Sequence, residues 1–487
     1  MIYPDLTQAI PENLGRVHFV GIGGSGMHGI ARMLHARGLV VCGSDRSANA
    51  QTAALQKLGI TVHIGHDAAH AAGADTLVVT GALWQDNPEY QYALANDIPV
   101  LHRSQALAWL TRGRRLLSVA GAHGKTTSTG MIVTALDALD ARPSFVNGGV
   151  IEGLGVSAGD SPANAANDLF VIEADESDRS FLLYDTDIAV ITNVDPEHLD
   201  FYGSRENFMR AFVEFASGAS EAVIVSADDA GVAEVVAELP ESVLERLQTF
   251  GFAAGADVRL SDVDVTGPVA FTVHASGVSE RVQLRVFGEH NAINATGAIA
   301  ALLHLGYTLA EAARAVASFG GTKRRFEFHA SVAGVRVYDD YAHHHTEVAA
   351  LLSAARPVAA PGRLIAVHQP HLYSRTQHFH REFAEVLEAG ADYTIVLPVD
   401  GAREDPVEGV TGELVSNDFA DKTRVSYCDT WEKAAAHVAE IAQPGDLFVT
   451  MSCGSVYRII PQLVEALISR FGDTDHEFAP DFRLPEN

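Results

Sequence analysis

A glycine-rich segment near the end of the first quarter of the chain has the residue types that hold nucleotide phosphates. It lies between an apolar run, 116–120, and a helical pattern, and it reads Gly121-Ala122-His123-Gly124-Lys125-Thr126-Thr127. Backbone N–H groups of such a loop surround phosphate oxygens, the Lys125 ammonium reaches the terminal phosphates, and the Thr126 hydroxyl can bind Mg²⁺. Position 119 is Val, so the loop is shorter than the common G-x-x-x-x-G-K-[ST] pattern. That difference points away from ordinary kinases and GTPases.

Acidic and amide side chains follow the next two strand-like runs, 168–175 and 187–194. Those that end or follow the first run are Glu173, Asp175, Glu176 and Asp178, and those that end or follow the second are Asn193, Asp195, Glu197, His198 and Asp200. Oxygen ligands at the carboxyl ends of parallel strands beside a phosphate loop are suited to Mg²⁺. The alternative for either cluster is a solvated loop that caps helices.

An earlier glycine-rich turn, Gly21–Gly26, fits the pattern G-x-G-x-x-G between a strand-like run and a helical pattern. Asp45 stands at the end of the following strand-like run. Glycines at these positions allow a tight turn and the close approach of a diphosphate to a helix N-terminus. The motif alone predicts a dinucleotide and leaves NAD open, and a glycine-rich turn without a ligand is the other interpretation.

Two further groups of candidate functional residues lie in the last third of the chain. The first is basic, Lys323-Arg324-Arg325-Phe326-Glu327, and the second is rich in histidine, 339–345 followed by His368, His371 and Arg375. Arginines at a hinge can reach phosphates when domains close, although spacing alone fits a surface charge run equally well. The histidines suggest a metal site, polar substrate contacts or a solvated patch.

Composition excludes several classes of protein. Lys and Arg total 34 against 62 Asp and Glu, a net charge of −28, which repels nucleic acid and anionic membranes. Three cysteines without CxxC spacing fit a reducing compartment. The first residues lack the features of a signal peptide, and no apolar run approaches a bilayer span. We therefore expect a cytoplasmic enzyme with no nucleic-acid or membrane partner.

The order of strand-like and helical runs predicts an α/β protein with parallel sheets. Strand-like runs at 16–20, 39–45, 61–65 and 75–82 form a first block, and comparable runs recur in two later blocks. Alternation with glycine breaks over 258–288 predicts antiparallel strands before a helix at 291–305. We expect three domains, 1–112, 113–322 and 323–487.

Taken together, the segments resemble the Mur ligases over about residues 15 to 470. The segments that carry this resemblance are GAHGKTTSTGM, VIEADESDRSF, TNVDPEHLDFYG, GEHNAINATGA, KRRFE and DDYAHHHTEV. Two further segments are similar to those of the family member that adds L-alanine, HFVGIGGSGMHGIARML and HQPHLYSRT. The lack of Lys over 199–222 also agrees with that member. His345 and Leu372 stand where the family has Pro and Arg.

The resemblance implies the fold and the site. It implies an N-terminal Rossmann-like UDP-binding domain, a central P-loop ATPase domain and a C-terminal Rossmann-like domain that binds the amino acid. The implied UDP-sugar contacts are Gly21, Gly23, Gly24, Ser25, Gly26, Asp45 and His102. The implied ATP contacts are Gly121, Ala122, His123, Gly124, Lys125, Thr126, Thr127, His290, Asn291, Asn294, Arg325 and Asp340. The implied Mg²⁺ ligands are Thr126, Glu173 and His198, and the implied catalytic residues are Lys125, His198, Arg325, His343, His344 and Arg375.

The resemblance also implies the reaction. ATP would activate the lactyl carboxylate of UDP-N-acetylmuramate as an acyl phosphate, and L-alanine would attack it, in a monomer or homodimer. A murein-peptide ligase that adds a recycled tripeptide is the nearest alternative. An NAD-dependent oxidoreductase would leave Gly121–Thr127 without a role, and a nucleotide-sensing protein would not need Lys125, Glu173 and His198 together.

Overall fold

The computed structural model describes residues 2–161, 168–402, 404–472, 475–480 and 482–484, and it describes residues 199 and 200 by their backbone alone. The chain forms two compact units. The first comprises Met1–Asp262, Phe271–Leu284 and Ala292–Gly320, and the second comprises Val263–Ala270, Arg285–Asn291 and Gly321–Asn487. Among the described residues, no helix combines the length and the apolar character that crossing a membrane requires.

The first sheet of unit 1 is parallel, with the order β3-β2-β1-β4-β5. Its strands are β1 (Val17–Val20), β2 (Val41–Asp45), β3 (Thr61–Ile64), β4 (Thr76–Val79) and β5 (Val100–His102). The accompanying helices are α1 (His28–Ala36), α2 (Ala50–Lys57), α3 (Pro88–Ala95) and α4 (Arg103–Thr111). All of β1 is buried, as expected of a central parallel strand with both faces covered.

The second sheet has the order β15-β14-β13-β12-β11-β10-β6-β9-β7-β8. Its strands are β6 (Arg115–Ala120), β7 (Ser144–Ile151), β8 (Val156–Gly159), β9 (Leu169–Glu173), β10 (Ile188–Ile191), β11 (Ala222–Ser226), β12 (Leu247–Gly251), β13 (Val258–Asp264), β14 (Ala270–Ala275) and β15 (Val278–Gln283). Its central pairs, β9 with β6, β6 with β10 and β10 with β11, are parallel. The carboxyl ends of these strands therefore share one edge.

Helices of this second region connect and cover its strands. They are α5 (Lys125–Ala138), α6 (Leu199–Tyr202), α7 (Arg205–Gly218), α8 (Ala230–Ala237), α9 (Glu241–Leu244), α10 (Glu289–His304) and α11 (Leu309–Val316). Phe170 of β9 and Phe208 of α7 are fully buried members of the apolar cluster of unit 1.

The third sheet lies in unit 2, with the order β20-β19-β18-β21-β17-β16-β22. Its strands are β16 (Glu327–Val332), β17 (Val335–Asp340), β18 (Leu364–His368), β19 (Tyr393–Val396), β20 (Val425–Tyr427), β21 (Leu447–Met451) and β22 (His476–Phe478). Its helices are α12 (His345–Ala359), α13 (Tyr373–Gly390), α14 (Glu413–Asp418), α15 (Trp431–Ile441) and α16 (Ile460–Phe471). Strands β17, β21, β18, β19 and β20 are parallel, whereas β16 pairs antiparallel with β17 and β22.

Two apolar clusters cover the two faces of the third sheet. Phe448 packs with Leu463 of α16 on one face, and Leu364 packs with Leu352 and Phe383 on the other. Helices on both faces of a mostly parallel sheet define a doubly wound α/β architecture. The predicted α/β fold with three sheet-based domains is confirmed, while the exact limits at residues 112 and 322 stay a prediction.

Candidate active site

The phosphate loop joins the end of β6 to the start of α5, as its sequence predicts. Gly121 has φ +136°, and a Cβ added there would lie 2.1 Å from Thr192 Oγ1. Gly124 has φ +82°, and a Cβ there would lie 2.6 Å from the side-chain oxygen of Asn294. Any other residue would meet both a backbone penalty and a clash at these two positions.

Thr192 and Asn193, just after β10, fix the conformation of the phosphate loop through hydrogen bonds. Asn193 Oδ1 accepts from the backbone N–H of His123 at 2.9 Å, and Asn193 Nδ2 donates to the carbonyl of His123 at 2.8 Å. Thr192 Oγ1 donates to the same carbonyl at 2.6 Å. The side chain of Asn193 therefore supports the phosphate loop, and its part in a Mg²⁺ site stays a prediction.

Lys125 is the first residue of α5, and its ammonium folds back over the loop. Nζ donates to the carbonyls of Gly121 at 2.6 Å and Ala122 at 3.1 Å, and to Glu176 Oε1 at 3.0 Å. Burial works against the charge of Lys125, but the carboxylates of Glu176, Asp175 and Glu173 raise its pKa above the usual value. Lys125 is therefore a fixed cation at the loop.

Thr126 and Glu173 form the pair of oxygen groups that the sequence predicts for Mg²⁺. Thr126 Oγ1 donates to Glu173 Oε1 at 3.0 Å, and the N–H of Gly148 donates to Glu173 Oε2 at 2.6 Å. A hydroxyl and a carboxylate side by side at the end of a strand are hard oxygen donors of the kind that Mg²⁺ prefers. His198, the third predicted ligand, has φ +55° and lies with its Nε2 3.7 Å from Glu197.

The remaining carboxylates of the first acidic cluster have other partners. Asp175 accepts from Arg103 Nη2 at 2.8 Å, and Asp178 lies 4.0 Å from His102 Nε2. Burial raises the pKa of Glu176, while the charge of Lys125 opposes that shift and the charge of Asp175 adds to it. The carboxylates of this one cluster thus have different partners. Glu173 pairs with Thr126, Glu176 with Lys125, and Asp175 with Arg103 of the first domain.

The first glycine-rich turn joins β1 to α1. Gly21 has φ +81°, and a Cβ on Gly23 would lie 2.7 Å from Asn49 and Thr52. Asp45 Oδ2 accepts from the N–H of Gly23 at 2.9 Å. Gly24 and Ser25 are exposed, whereas a Cβ on Gly26 would lie 3.4 Å from the guanidinium of Arg103. The turn therefore has an open side and a cation beside it, which suits an anionic ligand.

His102, predicted to contact the UDP-sugar, is 3% exposed and caps α4. Its Nδ1 lies 2.7 Å from Ser104 Oγ. Burial and the charge of Arg103 lower the pKa of His102 to about 3, so this imidazole is neutral. Its position as a helix cap gives it a structural role that the sequence did not indicate.

The basic segment of unit 2 packs against the end of β17. Arg324 Nε donates to Asp339 Oδ2 at 3.0 Å, and its guanidinium lies 5.0 Å from the ring centre of Tyr341. Asp340 accepts from the N–H groups of Phe326 and Ala342, both at 2.7 Å. Burial raises the pKa of Asp340, and the charge of Arg325 opposes that shift.

Arg325 of the same segment stacks on Tyr341 as well, with its guanidinium 5.1 Å from the ring centre. Burial and the charge of Arg325 lower the pKa of His290 to about 4. Asn291 Nδ2 donates to the carbonyl of Phe287 at 2.7 Å. The predicted ATP contacts His290 and Arg325 thus interact within unit 2, and Asn294 lies against the phosphate loop in unit 1.

The histidine-rich segment of unit 2 meets a cysteine. His343 Nδ1 lies 3.1 Å from Glu347, and the imidazoles of His343 and His371 both interact electrostatically with the thiol of Cys453. Burial opposes the charge of His343, but Glu347 and Cys453 raise its pKa to about 10. This cluster arises because β17, β18 and β21 are in parallel register, with Asp340 and His368 both opposite Met451.

His344 is the N-cap of α12, and Arg375 lies in the first turn of α13. Leu372, which stands where the resembling family has Arg, is buried with φ +71°, and its N–H donates to the carbonyl of Asp400 at 2.8 Å. Leu372 therefore serves as a packing residue at the start of α13.

Glu176, Arg103 and Cys453 are the residues whose contacts sequence reasoning missed. Glu176 was grouped with metal ligands, and nothing in the sequence around Arg103 or Cys453 marks either residue. The signal that could have found Arg103 is its place directly after β5, at a carboxyl end in a parallel sheet. Cys453 likewise lies just beyond the carboxyl end of a parallel strand, β21.

The fold and the phosphate-loop site define a class of ATP-dependent ligase, and comparison with known proteins identifies the family. Residues 16–115 match the Mur ligase family, catalytic domain, residues 119–302 match the Mur ligase middle domain, and residues 324–454 match the Mur ligase, glutamate ligase domain. The chain belongs to the Mur ligase family.

Particular members are similar over nearly the whole chain. The UDP-N-acetylmuramate–L-alanine ligase of Clavibacter sepedonicus is 61% identical over 467 residues, which cover 96% of each chain. The protein of the same name from Thermobifida fusca is 44% identical over 94% of this chain and 97% of its own. Among solved structures, the UDP-N-acetylmuramate–alanine ligase of Thermotoga maritima has a TM-score of 0.77 and 26% identity, with 93% of this chain and 99% of that chain covered.

Proposed function

We propose that this chain ligates L-alanine to the lactyl carboxylate of UDP-N-acetylmuramate, with ATP converted to ADP and phosphate, in the synthesis of peptidoglycan precursors. The relatives that are 61% and 44% identical over nearly their whole length carry the name of this activity. The observation that carries the chemistry is the arrangement of Lys125, Thr126 and Glu173 around one phosphate loop, with Thr126 and Glu173 3.0 Å apart.

The reaction needs activation because a carboxylate oxygen is a poor leaving group. The lactyl carboxylate attacks the γ-phosphorus of ATP, ADP leaves, and an acyl phosphate forms. The amine of L-alanine then attacks the acyl carbon, and the amide forms with loss of phosphate and a proton. The protein's part is to position these groups and to neutralise charge. The fixed cation of Lys125, whose Nζ lies at the Gly121 carbonyl, is placed to stabilise the phosphoryl oxygens.

Mg²⁺ fits the pair of oxygen groups formed by Thr126 and Glu173, and His198 is the third candidate ligand. When bound, Mg²⁺ would neutralise phosphate charge. The N–H of Gly148 fixes the second oxygen of Glu173 at 2.6 Å and so orients the carboxylate toward Thr126.

The sugar and the amino acid have separate candidate sites. The open side of the Gly21–Gly26 turn, with Arg103 beside Gly26, supports binding of the UDP diphosphate. In unit 2, we assign Arg325 to phosphate, Arg375 to a substrate carboxylate, and His343 or His344 to orientation of the substrate or amine. His343 carries a positive charge near neutral pH, which suits contact with a carboxylate.

The alternative amine donor is a recycled tripeptide. The murein peptide ligase of Psychrobacter arcticus has a TM-score of 0.70 with 24% identity over 95% of this chain and 99% of that chain, a likeness of fold. The relatives of higher identity favour L-alanine. We further propose action in the cytoplasm, where ATP is available and where the free thiols of Cys42, Cys428 and Cys453 stay reduced.

The test is phosphate release from ATP by the purified full chain with UDP-N-acetylmuramate and one amine at a time. We expect L-alanine to give the largest kcat/KM. Preference for the L-Ala-D-Glu-diaminopimelate tripeptide would reassign the chain to the recycling reaction, and phosphate release with no amine dependence would remove the ligase assignment.

A further inference from the structure

The ammonium of Lys125 has all three of its donors engaged within unit 1. An ammonium group carries three N–H donors, and their acceptors are the carbonyls of Gly121 and Ala122 and the carboxylate of Glu176. The two carbonyls belong to the phosphate loop itself. Glu176 is the charged partner, with Oε2 2.8 Å from Nζ.

Glu176 is itself buried, and its backbone is anchored by a hydrogen bond. It is 1% exposed, and the hydroxyl of Tyr202 donates to its backbone carbonyl. The neighbouring Asp175 forms its ion pair with Arg103 at 2.8 Å, so its influence on Lys125 is electrostatic and not a hydrogen bond. A buried carboxylate without a cation is unfavourable, and a buried ammonium without a counter-charge equally so. The pair is therefore a fixed feature of the loop.

We propose that Glu176 is a positioning residue for Lys125, which holds the ammonium directed at the phosphate loop and releases it to the nucleotide. The inference rests on the proposed function, because it concerns how the loop prepares for ATP. Thr126 and Glu173 are the proposed metal ligands, whereas the hydrogen bonds of Lys125 Nζ go to Gly121, Ala122 and Glu176.

Removal of the Glu176 charge should change kcat and the KM for ATP in different ways. Glu176→Gln keeps the size of the side chain and an acceptor oxygen but removes the charge that orients Lys125, so kcat falls. The same change removes a negative charge from beside the triphosphate and removes the competitor for Lys125, so the KM for ATP does not rise. A purely structural role would lower thermal stability without separating kcat from KM.

The first experiment measures kcat and the KM for ATP of the full-length chain with UDP-N-acetylmuramate and L-alanine. We expect Glu176→Gln to lower kcat at least tenfold without an increase in KM, and Glu176→Asp to recover part of the loss. Asp160→Asn is the matched control, because it removes the charge from another partly buried ion pair of unit 1, with Arg37 at 2.9 Å. Its kcat should stay near that of the unmodified chain. An unchanged kcat in Glu176→Gln would overturn the proposal.

The second experiment is a double-mutant cycle on ATP affinity, measured by calorimetry without the other substrates. If Glu176 acts through Lys125, Glu176→Gln changes ATP affinity in the unmodified chain and has no effect in the Lys125→Ala background. Equal effects in both backgrounds would refute the coupling. An unmodified chain that binds ATP but fails to ligate L-alanine would overturn the proposed function instead, while the cycle would still test Glu176.

Discussion

The side-chain oxygen of Asn294, on α10, lies 2.6 Å from the position that a Cβ on Gly124 would occupy. Two segments that are 170 residues apart in the chain thus meet at the phosphate loop. Glycine is required at position 124 for two separate physical reasons, its φ of +82° and the proximity of Asn294.

Gly124→Ala should therefore lower both stability and ATP binding. A non-glycine residue in this backbone region costs about 1–3 kcal/mol, and the added methyl group displaces Asn294 or the loop. Gly59→Ala is the matched control, since Gly59 has φ +86° and no atom within 4 Å of an added Cβ. We expect both variants to lose thermal stability but only Gly124→Ala to raise the KM for ATP. An equal KM in both would show that the contact with Asn294 does not matter for nucleotide binding.

Lys125→Ala should nearly abolish ligation and leave the fold intact. Loss of a group that neutralises developing charge typically costs about 3 kcal/mol of barrier or more, roughly a hundredfold in rate. Phosphate release and circular dichroism of the purified variant are the measurements. Full activity would place the ATP site away from this loop.

Glu173→Gln should raise the Mg²⁺ concentration needed for half-maximal activity by roughly tenfold or more, because a metal site loses at least that much affinity when a partner is removed. Glu221→Gln is the control, since Glu221 binds Arg115 at the start of β6, at the opposite edge of the sheet. Its Mg²⁺ dependence should match that of the unmodified chain. An unaltered Mg²⁺ titration in Glu173→Gln would assign the metal to other residues.

Cys453 should react with thiol reagents at unusually low pH. Burial raises the pKa of its thiol, but His343 and His371 together lower it to about 6. The thiolate therefore exists above about pH 6, and the rate of labelling by iodoacetamide should fall as the pH falls through that value. His343→Ala should move the midpoint toward ~8.5, the ordinary value for cysteine. A midpoint near ~8.5 in the unmodified chain would show that His343 and His371 do not lower the pKa of this thiol.

Glycine should replace L-alanine, but poorly. A missing methyl group changes binding by only about 1–3 kcal/mol, so a small pocket discriminates weakly against glycine while it excludes bulky side chains. We expect kcat/KM for glycine to be lower by roughly tens of times, with L-serine also a weak substrate. Competition between L-alanine, glycine and the tripeptide in one reaction, resolved by mass spectrometry, gives the ranking. Equal use of glycine and L-alanine would mean that no pocket surrounds the methyl group.

The phosphate loop and the first glycine-rich turn could be predicted from the sequence because each is local. Gly121, Gly124 and Lys125 lie within five positions, and a strand before them and a helix after them suffice to place the loop at a helix N-terminus. The alternation of strands and helices likewise predicts parallel sheets, and the carboxyl edge where Thr126 and Glu173 meet follows from that arrangement.

The partners within the site depended on the tertiary structure. Glu173, Asp175 and Glu176 form one acidic run in the sequence, yet they face Thr126, Arg103 and Lys125 in turn. Cys453 meets His343 and His371 only because three parallel strands are in one register. Side-chain direction beyond the end of a strand depends on packing between segments far apart in the chain, and residue types and spacing carry no information on that packing.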